Sequence, residues 1–246
     1  MKQTFDYIVA GGGSAGCTLA SRLCENKDIK VLLIEAGGSG KSLFTQMPGG
    51  NGFIFGNPKF DWGFESVPQP QLNNRKILYP RGKGLGGSSL LNGMIYMRGA
   101  SGDFNRWRQK GLQGWSYDDV LPYFKKSASA YHRKEGKYHS HSGPLKLTPA
   151  GNYNEVDEAF INACLEAGSK INNDFYSDSL NGVGRYDVKV WNGKRQSSAE
   201  AYLKFKPKNL TIYKNTSVVK ILIEKSKAIG LTLSKGNVYA SSEIIL

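Results

Sequence analysis

The stretch FDYIVAGGGSAGCTLASRLCENKDIKVLLIEA, residues 5–36, holds the strongest structural signal in this chain. Residues 5–10 are rich in aromatic and β-branched types and stop at three glycines, as a buried parallel strand does. Residues 14–24 place Ala and Leu at helical spacing, and residues 31–34 form a second apolar run that ends at Glu35. The order strand, helix, strand predicts a βαβ unit and therefore an α/β fold.

Gly11, Gly13 and Gly16 form the pattern GxGxxG between the first predicted strand and the helix. This pattern supplies a tight turn, close approach of the backbone to a pyrophosphate and close packing of helix on strand. The helix N-terminus adds free N–H groups and a partial positive charge. Glu35 follows Gly16 by 19 residues, where an acid can accept hydrogen bonds from a ribose diol. We predict a site for FAD or NAD, since the acid disfavours NADP; the alternative is a glycine-rich turn without a ligand.

Composition narrows the class of protein. The chain has 246 residues, of which 39% are hydrophobic and 11% aromatic, so it can bury a core as one large or two smaller domains and is not disordered. The formal net charge of +13 is scattered along the chain, which indicates a solvated basic surface. A nucleic-acid-binding protein is the alternative, but the sequence has no recognised motif of that class, and we predict no nucleic-acid partner.

The sequence also argues against a metalloprotein and against a membrane-spanning or secreted protein. The three cysteines match no zinc or redox spacing, so we predict no metal site and a reducing compartment. No apolar run approaches the roughly 20 residues of a membrane-spanning helix, and the N-terminus shows no signal-peptide pattern. We expect a cytoplasmic protein without a transmembrane segment, and peripheral membrane association stays open.

The rest of the chain alternates irregular and regular segments. Residues 37–74 contain Gly, Pro and aromatic residues and show no hydrophobic periodicity. This composition predicts an ordered connecting segment with little regular secondary structure. Hydrophobic spacing predicts helices at 101–107, 117–127, 156–167 and 197–205, and strands at 210–213, 218–223, 229–233, 238–240 and 244–246.

A second glycine-rich stretch, RGKGLGGSSLLNGMIYMRG at residues 81–99, resembles the first signature of the glucose-methanol-choline (GMC) flavoprotein oxidoreductases. The resemblance extends over the opening glycine motif, DWGFESVPQPQL at 61–72, HSGPLKLTP at 141–149, GKRQSSAEAYL at 193–203 and the closing strands. The choline-dehydrogenase-like alcohol dehydrogenases of that family look most similar. The positions that match the signature are Gly82, Lys83, Leu85, Gly86, Gly87, Ser88, Ser89, Leu91, Asn92, Tyr96 and Gly99.

This resemblance implies a fold and a domain order. Residues 1–155 would form a Rossmann-like FAD-binding domain with a flavin-contacting glycine-rich loop. Residues 156–202 would begin an α+β substrate domain, which is incomplete, and residues 203–246 would return to the FAD-binding domain. Because the chain ends on an apolar strand, 244–246, we expect the N-terminal half of an enzyme that depends on a missing C-terminal half or aggregates without it.

The resemblance also implies the cofactor and its contacts. Asn92 to Ile95 would lie beside the flavin ring, and the backbone of Val218 would pair with the adenine edge. Trp62 resembles a tryptophan near FAD, and a simple core aromatic is the alternative. Some members bind FAD covalently through a histidine before this asparagine; here that residue is Leu91, which implies non-covalent FAD. The predicted cofactor-binding residues are Gly11, Gly13, Ser14, Ala15, Gly16, Glu35, Ala36, Trp62, Gly82, Gly86, Asn92, Gly93, Met94, Ile95 and Val218.

The reaction implied by the resemblance is oxidation of a primary alcohol, choline-like or other, to an aldehyde, with hydride transfer to the flavin. The family's catalytic histidine lies in its C-terminal half. His132, His139 and His141 fall in a polar loop that resembles a structural loop of the family, so we predict no catalytic residue here. The electron acceptor is left open among a quinone, a dye and oxygen, and the alternative function is a non-catalytic flavin-binding fragment.

Overall fold

The computed structural model describes residues 3–151, 154–177, 179–205 and 207–246. The strands are β1 Thr4–Ala10, β2 Val31–Ile34, β3 Phe64–Glu65, β4 Leu78–Tyr79, β5 Ile95–Tyr96, β6 Ala128–Ser129, β7 Leu145–Lys146, β8 Thr148–Pro149, β9 Asp187–Val188, β10 Val190–Trp191, β11 Lys194–Arg195, β12 Leu210–Tyr213, β13 Val218–Glu224, β14 Lys227–Leu233 and β15 Gly236–Ile245. The helices are α1 Ser14–Leu23, α2 Leu43–Gln46, α3 Asn51–Ile54, α4 Ser101–Gln109, α5 Tyr117–Ser127, α6 Glu155–Glu166 and α7 Ser198–Tyr202, with 3₁₀ turns at Pro70–Leu72 and Gly87–Leu90.

The chain forms two compact units. The first comprises Met1–Gly93 and Gly193–Leu246, and the second comprises Met94–Asn192. The domain limits inferred from the sequence, at residues 155 and 202, stay a prediction.

A six-stranded sheet in the order β12-β2-β1-β15-β14-β13 organises the first unit. Strands β12, β2, β1 and β15 are parallel, and β14 and β13 continue the sheet in antiparallel pairing. All four residues of β2 are buried, because a parallel strand covered on both faces must be apolar throughout. The parallel sheet with α1 between its first two strands confirms the predicted α/β, Rossmann-like fold.

Apolar residues cover both faces of this sheet. On one face Ile8, Leu32 and Leu231 form a buried cluster, and on the other Val9 and Leu33 pack with residues of α1. Because Cβ atoms alternate across a strand, neighbouring residues of β1 and β2 contribute to opposite clusters. Helix α1 contributes Ala20 and Cys24 to the second cluster, so the helix and its N-terminus are held against the sheet.

Strand β15 differs from the sequence prediction, which had two short strands separated by polar residues. The structure shows one strand of ten residues. Its polar middle is held by backbone pairing with β1 and by the Ser241 hydroxyl, which donates to Asp6 Oδ1 at 2.8 Å. The polar side chains at residues 241–243 therefore do not interrupt β15, because the backbone hydrogen bonds of the strand continue through these residues.

The second unit combines small sheets with helices α4, α5 and α6. Strands β5, β9 and β8 form a three-stranded antiparallel sheet, and β6 pairs with β7 in parallel. Helices α5 and α6 each begin with a reciprocal capping box, at Ser116 and Asn154, which satisfies N–H groups that the helix itself leaves free. The buried cluster of this unit consists of Tyr96, Ala128, Ala130, Leu147 and Tyr176. Over the described residues, no helix has the length and apolar character needed to cross a membrane.

Candidate functional site

The first glycine turn connects β1 to α1 at the carboxyl end of the parallel strands. Gly11 has a φ of +106°, which favours glycine, and its N–H donates to Ile34 O at 2.8 Å. A Cβ on Gly16 would lie only 1.9 Å from Gly11 O. Position 16 therefore excludes any side chain, because α1 packs directly on the backbone of the turn.

The N-terminus of α1 is open on one side. Gly13 is its N-cap, and no side chain of the described residues caps it. A Cβ on Gly13 would meet no atom within 4 Å beyond its chain neighbours, and Ser14 and Ala15 are exposed. The first N–H groups of a helix have no partner within the helix and bear its partial positive charge. The opening can accept an anionic group such as a pyrophosphate.

The second glycine stretch lies directly on the first. Gly86 N donates to Gly12 O at 2.8 Å, and a Cβ on Gly87 would lie 2.7 Å from Gly13 Cα. A Cβ on Gly82 would lie 2.1 Å from Gly87 O. These glycines are needed for contact between protein backbones, in addition to the cofactor contact expected from the sequence.

A third segment completes what we call the glycine layer, residues 11–16, 37–40 and 82–87. A Cβ on Gly37 would lie 2.4 Å from Gly84 N. The three segments are therefore in backbone contact, and a side chain at either of these interfaces would separate them.

Glu35 connects the three segments of the glycine layer. It ends β2 and is 6% exposed. Its Oε2 accepts from Gly12 N at 2.9 Å, and its Oε1 accepts from Gly37 N at 2.7 Å and Gly84 N at 3.0 Å. A carboxylate offers about four acceptor positions, so the three backbone donors leave capacity for a ribose hydroxyl. Ala36, which follows it, is half-buried.

Cys17 lies beneath the turn in the first turn and a half of α1. Its side chain is fully buried, and its Sγ donates to Gly12 O at 3.1 Å. Burial raises the pKa of the thiol to about 12, and the charge of Glu35 acts in the same direction. The residue is therefore a neutral packing group and not a thiolate nucleophile.

Asp61 organises the loop that contains Trp62. It is 2% exposed, and its carboxylate accepts from Gly56 N and Arg81 N, each at 2.9 Å, and from Gly63 N at 3.1 Å. Burial raises the pKa of this carboxyl group, but the backbone N–H groups stabilise its charged form more strongly. The pKa of Asp61 therefore lies below its ordinary value.

We predict that Asp61→Asn destabilises the protein by about 1–3 kcal/mol near neutral pH, because its amide leaves a buried N–H without an acceptor. The lowered pKa stabilises the native protein above the unfolded value of about 3.9, and this stability is lost as the pH falls through the folded pKa. Urea unfolding between about pH 2 and pH 7 should show a weaker acid dependence in the variant than in the wild type. The exposed Asp28→Asn serves as the control, and an equal effect of both substitutions would contradict the prediction.

Residues 91–93 follow the glycine layer. Leu91 is 4% exposed and packs with Ile54 and Phe60. Asn92 is half-buried, whereas Gly93 is exposed, and a Cβ on it would meet nothing within 4 Å. The chain thus passes from an apolar cluster to an open surface within three residues.

The other predicted flavin and adenine contacts are Met94 and Ile95, which directly follow Gly93, together with Trp62 and Val218. Met94 has a φ of +63°, which is unusual for a residue with a side chain, and Ile95 is 49% exposed. Trp62 is 44% exposed, with Lys83 Nζ 4.9 Å from its ring centroid, so it is not a core aromatic. Val218 begins β13 and is half-buried. The cofactor roles of these residues stay predictions.

Arg195 is a buried residue that the sequence analysis did not single out. It is 2% exposed, and its Nη1 donates to Asn92 O at 2.5 Å and to Asn92 Oδ1 at 3.2 Å. Its Nη2 donates to Asn51 Oδ1 at 2.5 Å and to Pro48 O at 3.3 Å. Burial lowers its pKa. A basic residue within GKRQ looks exposed, so the sequence contained no signal for this burial.

The three histidines all lie in the second unit and bind neighbouring groups. His132 Nε2 is 2.9 Å from Asp187 Oδ2, and His139 Nε2 is 2.7 Å from Asp174 Oδ2. His141 Nε2 is 2.8 Å from a backbone carbonyl oxygen. Each histidine therefore has a hydrogen-bond partner within the second unit, and the absence of a catalytic residue stays a prediction.

Comparison with known proteins identifies the family. The family model described as GMC oxidoreductase matches residues 5–245. The chain belongs to the GMC oxidoreductase family.

Curated relatives of this GMC chain carry the name oxygen-dependent choline dehydrogenase. The protein from Rhizobium rhizogenes is 40% identical over 247 residues, which cover 98% of this chain and 45% of the relative. The protein from Photobacterium profundum is 40% identical over 255 residues, which cover 100% of this chain and 44% of the relative. The GMC chain therefore spans a little under half the length of the curated relatives it matches.

Solved structures agree with this assignment. Pyridoxine 4-oxidase from Mesorbium loti superposes with a TM-score of 0.90 at 31% identity, over 98% of this GMC chain and 48% of the oxidase. A formate oxidase from Aspergillus oryzae, solved in a study of FAD modification, superposes with a TM-score of 0.88 at 27% identity, over 100% of this chain and 45% of that one.

The residues of the GMC chain fit its family's cofactor, FAD. The open α1 N-terminus is complementary to a pyrophosphate, and the buried Glu35 is complementary to a ribose diol. The empty space over Gly13, in a layer where the neighbouring glycines are in backbone contact, leaves room for a ligand. These features suit FAD and NAD alike, and membership of the GMC oxidoreductase family resolves the choice in favour of FAD.

Proposed function

We propose that this chain is the FAD-binding half of an enzyme that oxidises a primary alcohol to an aldehyde. The observation that most directly supports FAD binding is the glycine layer, in which Glu35 is bound by backbone N–H groups from all three segments beside the uncapped α1 N-terminus. The printed name of the curated relatives, choline dehydrogenase, suggests a choline-like alcohol as the substrate.

Different residues of this chain would bind different parts of FAD. The N-terminus of α1, with Ser14 and Ala15, would receive the pyrophosphate, and Glu35 would accept a hydrogen bond from the ribose. Asn92 and Gly93, with Trp62, would lie at the flavin ring. The Val218 backbone would pair with the adenine.

FAD, when bound, supplies a two-electron acceptor for the substrate. The alcohol carbon would lose a hydride to this acceptor and the hydroxyl would lose its proton to a base, so that a C=O bond replaces the O–H and one C–H bond. Turnover would then require a quinone, a dye or oxygen to take up the two electrons. Since the three histidines here have structural partners, we expect the base to come from the part of the relatives' length that this chain does not span.

Because no histidine of this chain is assigned to catalysis, a second candidate function is a flavin-binding fragment without catalysis of its own. The two candidates differ in whether a complementary half restores turnover. We would load the chain with FAD, add choline or another primary alcohol without oxygen, and follow bleaching of the flavin with and without the C-terminal half of the Rhizobium rhizogenes relative. Bleaching only in the presence of that half supports the enzyme, and no bleaching in either sample supports the fragment.

We predict that FAD is bound without a covalent bond. Leu91 occupies the position where some family members carry the linking histidine, and it is packed in an apolar cluster. Acid precipitation of the yellow, FAD-loaded chain should release all flavin absorbance into the supernatant. Flavin that remains in the washed pellet would contradict this, and a chain that stays colourless with FAD would contradict the proposed function itself.

A further inference from the structure

The Arg195 guanidinium is a buried cation with neutral neighbours. Its Nη atoms donate to oxygens of Asn92, Asn51 and Pro48, all of which are amide oxygens. Its Nε has no hydrogen-bond partner among the described residues. Glu200, the nearest acid along the sequence, is paired with Lys41 at 3.3 Å. Over the part of the chain that the structure describes, no carboxylate forms an ion pair with Arg195.

Such a charge is unfavourable unless an opposite charge approaches it. Removing a cation from water carries a large desolvation penalty, and neutral acceptors offset only part of it. A guanidinium also stays protonated in proteins, so Arg195 keeps its charge despite its burial.

The position of the Arg195 guanidinium indicates which anion it would stabilise. Arg195 binds both the carbonyl and the side-chain oxygen of Asn92, the first residue of the segment assigned to the flavin ring under the proposed function. A reduced flavin carries negative charge that the oxidised form lacks, and fixed charges near its ring tune its electronics. In a water-poor interior such an interaction is strong.

We propose that Arg195 is a positioning residue that holds Asn92 and supplies a fixed positive charge favouring the reduced state of the bound flavin. This inference rests on the proposed function. It assigns to the chain a residue that sets the flavin's reduction potential and that contributes no proton to the reaction.

The test measures the reduction potential of FAD bound to the chain by equilibration with a reference dye. We compare the wild type with Arg195→Gln, and use two controls. Lys194→Gln removes an exposed charge at the neighbouring position, and Asn51→Ala removes one anchor of the guanidinium while keeping its charge. We expect Arg195→Gln to lower the ratio of reduced to oxidised flavin by at least about tenfold at fixed potential, a shift of about 30 mV. Both controls should leave the ratio close to that of the wild type.

Two outcomes overturn the proposal while leaving the proposed function intact. One is an unchanged potential in Arg195→Gln. The other is an equal shift in Asn51→Ala, which would mean that orientation of the loop, and not charge, sets the potential. If no wild-type chain binds FAD, the proposed function fails first and separately.

A second variant covers the case in which Arg195→Gln does not hold FAD. Arg195→Lys makes the buried charge titratable, because burial lowers the pKa of a lysine whereas arginine stays charged. The potential of this variant should match the wild type near about pH 6. It should fall below the wild type by about pH 10, because a lysine whose pKa lies below the ordinary value of about 10.4 has then largely lost its proton. A constant difference between the two proteins over this range contradicts the proposal.

Discussion

Replacing Gly16 with alanine is expected to disrupt both the fold of the first unit and the binding of FAD, whereas Gly13→Ala should weaken FAD binding alone. The two glycines belong to one motif, but their surroundings differ. A Cβ on Gly16 would lie 1.9 Å from Gly11 O, a backbone atom that cannot move without displacing the turn. A Cβ on Gly13 would meet no atom within 4 Å beyond its chain neighbours and would enter the space assigned to the cofactor.

The expected magnitudes follow from these environments. Overpacking costs about 1–3 kcal/mol and occasionally more, and we expect Gly16→Ala to reach at least the upper figure because the obstacle is backbone. Gly13→Ala at the helix N-cap should change the free energy of unfolding by no more than about 1 kcal/mol. It should raise the Kd for FAD by at least about tenfold.

Urea unfolding without FAD and titration with FAD measure the two effects independently. Gly102→Ala, in helix α4, is the matched control, because its Cβ would meet nothing within 4 Å and the site lies elsewhere. It should leave FAD affinity unchanged and alter stability by about 1 kcal/mol or less. Equal FAD affinity in Gly13→Ala and the wild type would show that this opening does not receive the cofactor.

Glu35→Gln is expected to have the second largest effect. The carboxylate accepts three backbone N–H groups with both of its oxygens, and glutamine can present an oxygen on one side only. Its NH₂ group would then face either Gly12 N–H or the N–H groups of Gly37 and Gly84. We expect a loss of about 2–3 kcal/mol in stability, together with at least about tenfold weaker FAD binding.

Glu25→Gln separates this effect from the loss of a negative charge in general. Glu25 forms an exposed ion pair with Arg22 at 2.5 Å, and such pairs contribute about 0.2–1 kcal/mol. Thermal unfolding of the FAD-free proteins should therefore separate the two variants clearly. If Glu35→Gln is as stable as Glu25→Gln, Glu35 does not hold the glycine layer together.

Local patterns in the sequence predicted the elements that build the sheet. Strand β2 lies at residues 31–34 and strand β12 at residues 210–213, both as expected, because a short apolar run between polar residues has one favourable way to be buried. Helix α1 ends one residue before its predicted end. The resemblance of residues 81–99 to the family signature was also readable without structure, and the match of the family model confirms it.

Long-range contacts were not predictable in the same way. Gly84 N donates to Glu35 Oε1 across 49 positions, and Arg195 donates to Asn92 across 103 positions. In both cases the shorter contact involves a backbone group, which every residue has, so no residue type in the sequence signals the pairing. The burial of Arg195 and the continuity of β15 depend on the same kind of contact.

The amino-acid order was thus sufficient for the α/β class, the family and the glycines predicted to bind FAD. Each of these follows from patterns within about 20 residues, the length of a dinucleotide fingerprint. Folding in three dimensions established which of those glycines must be glycine for contact with another backbone and which leave space for a ligand. It also placed a cation next to Asn92. These properties depend on distances between segments far apart in the chain, and such distances are set by packing and not by neighbouring residues.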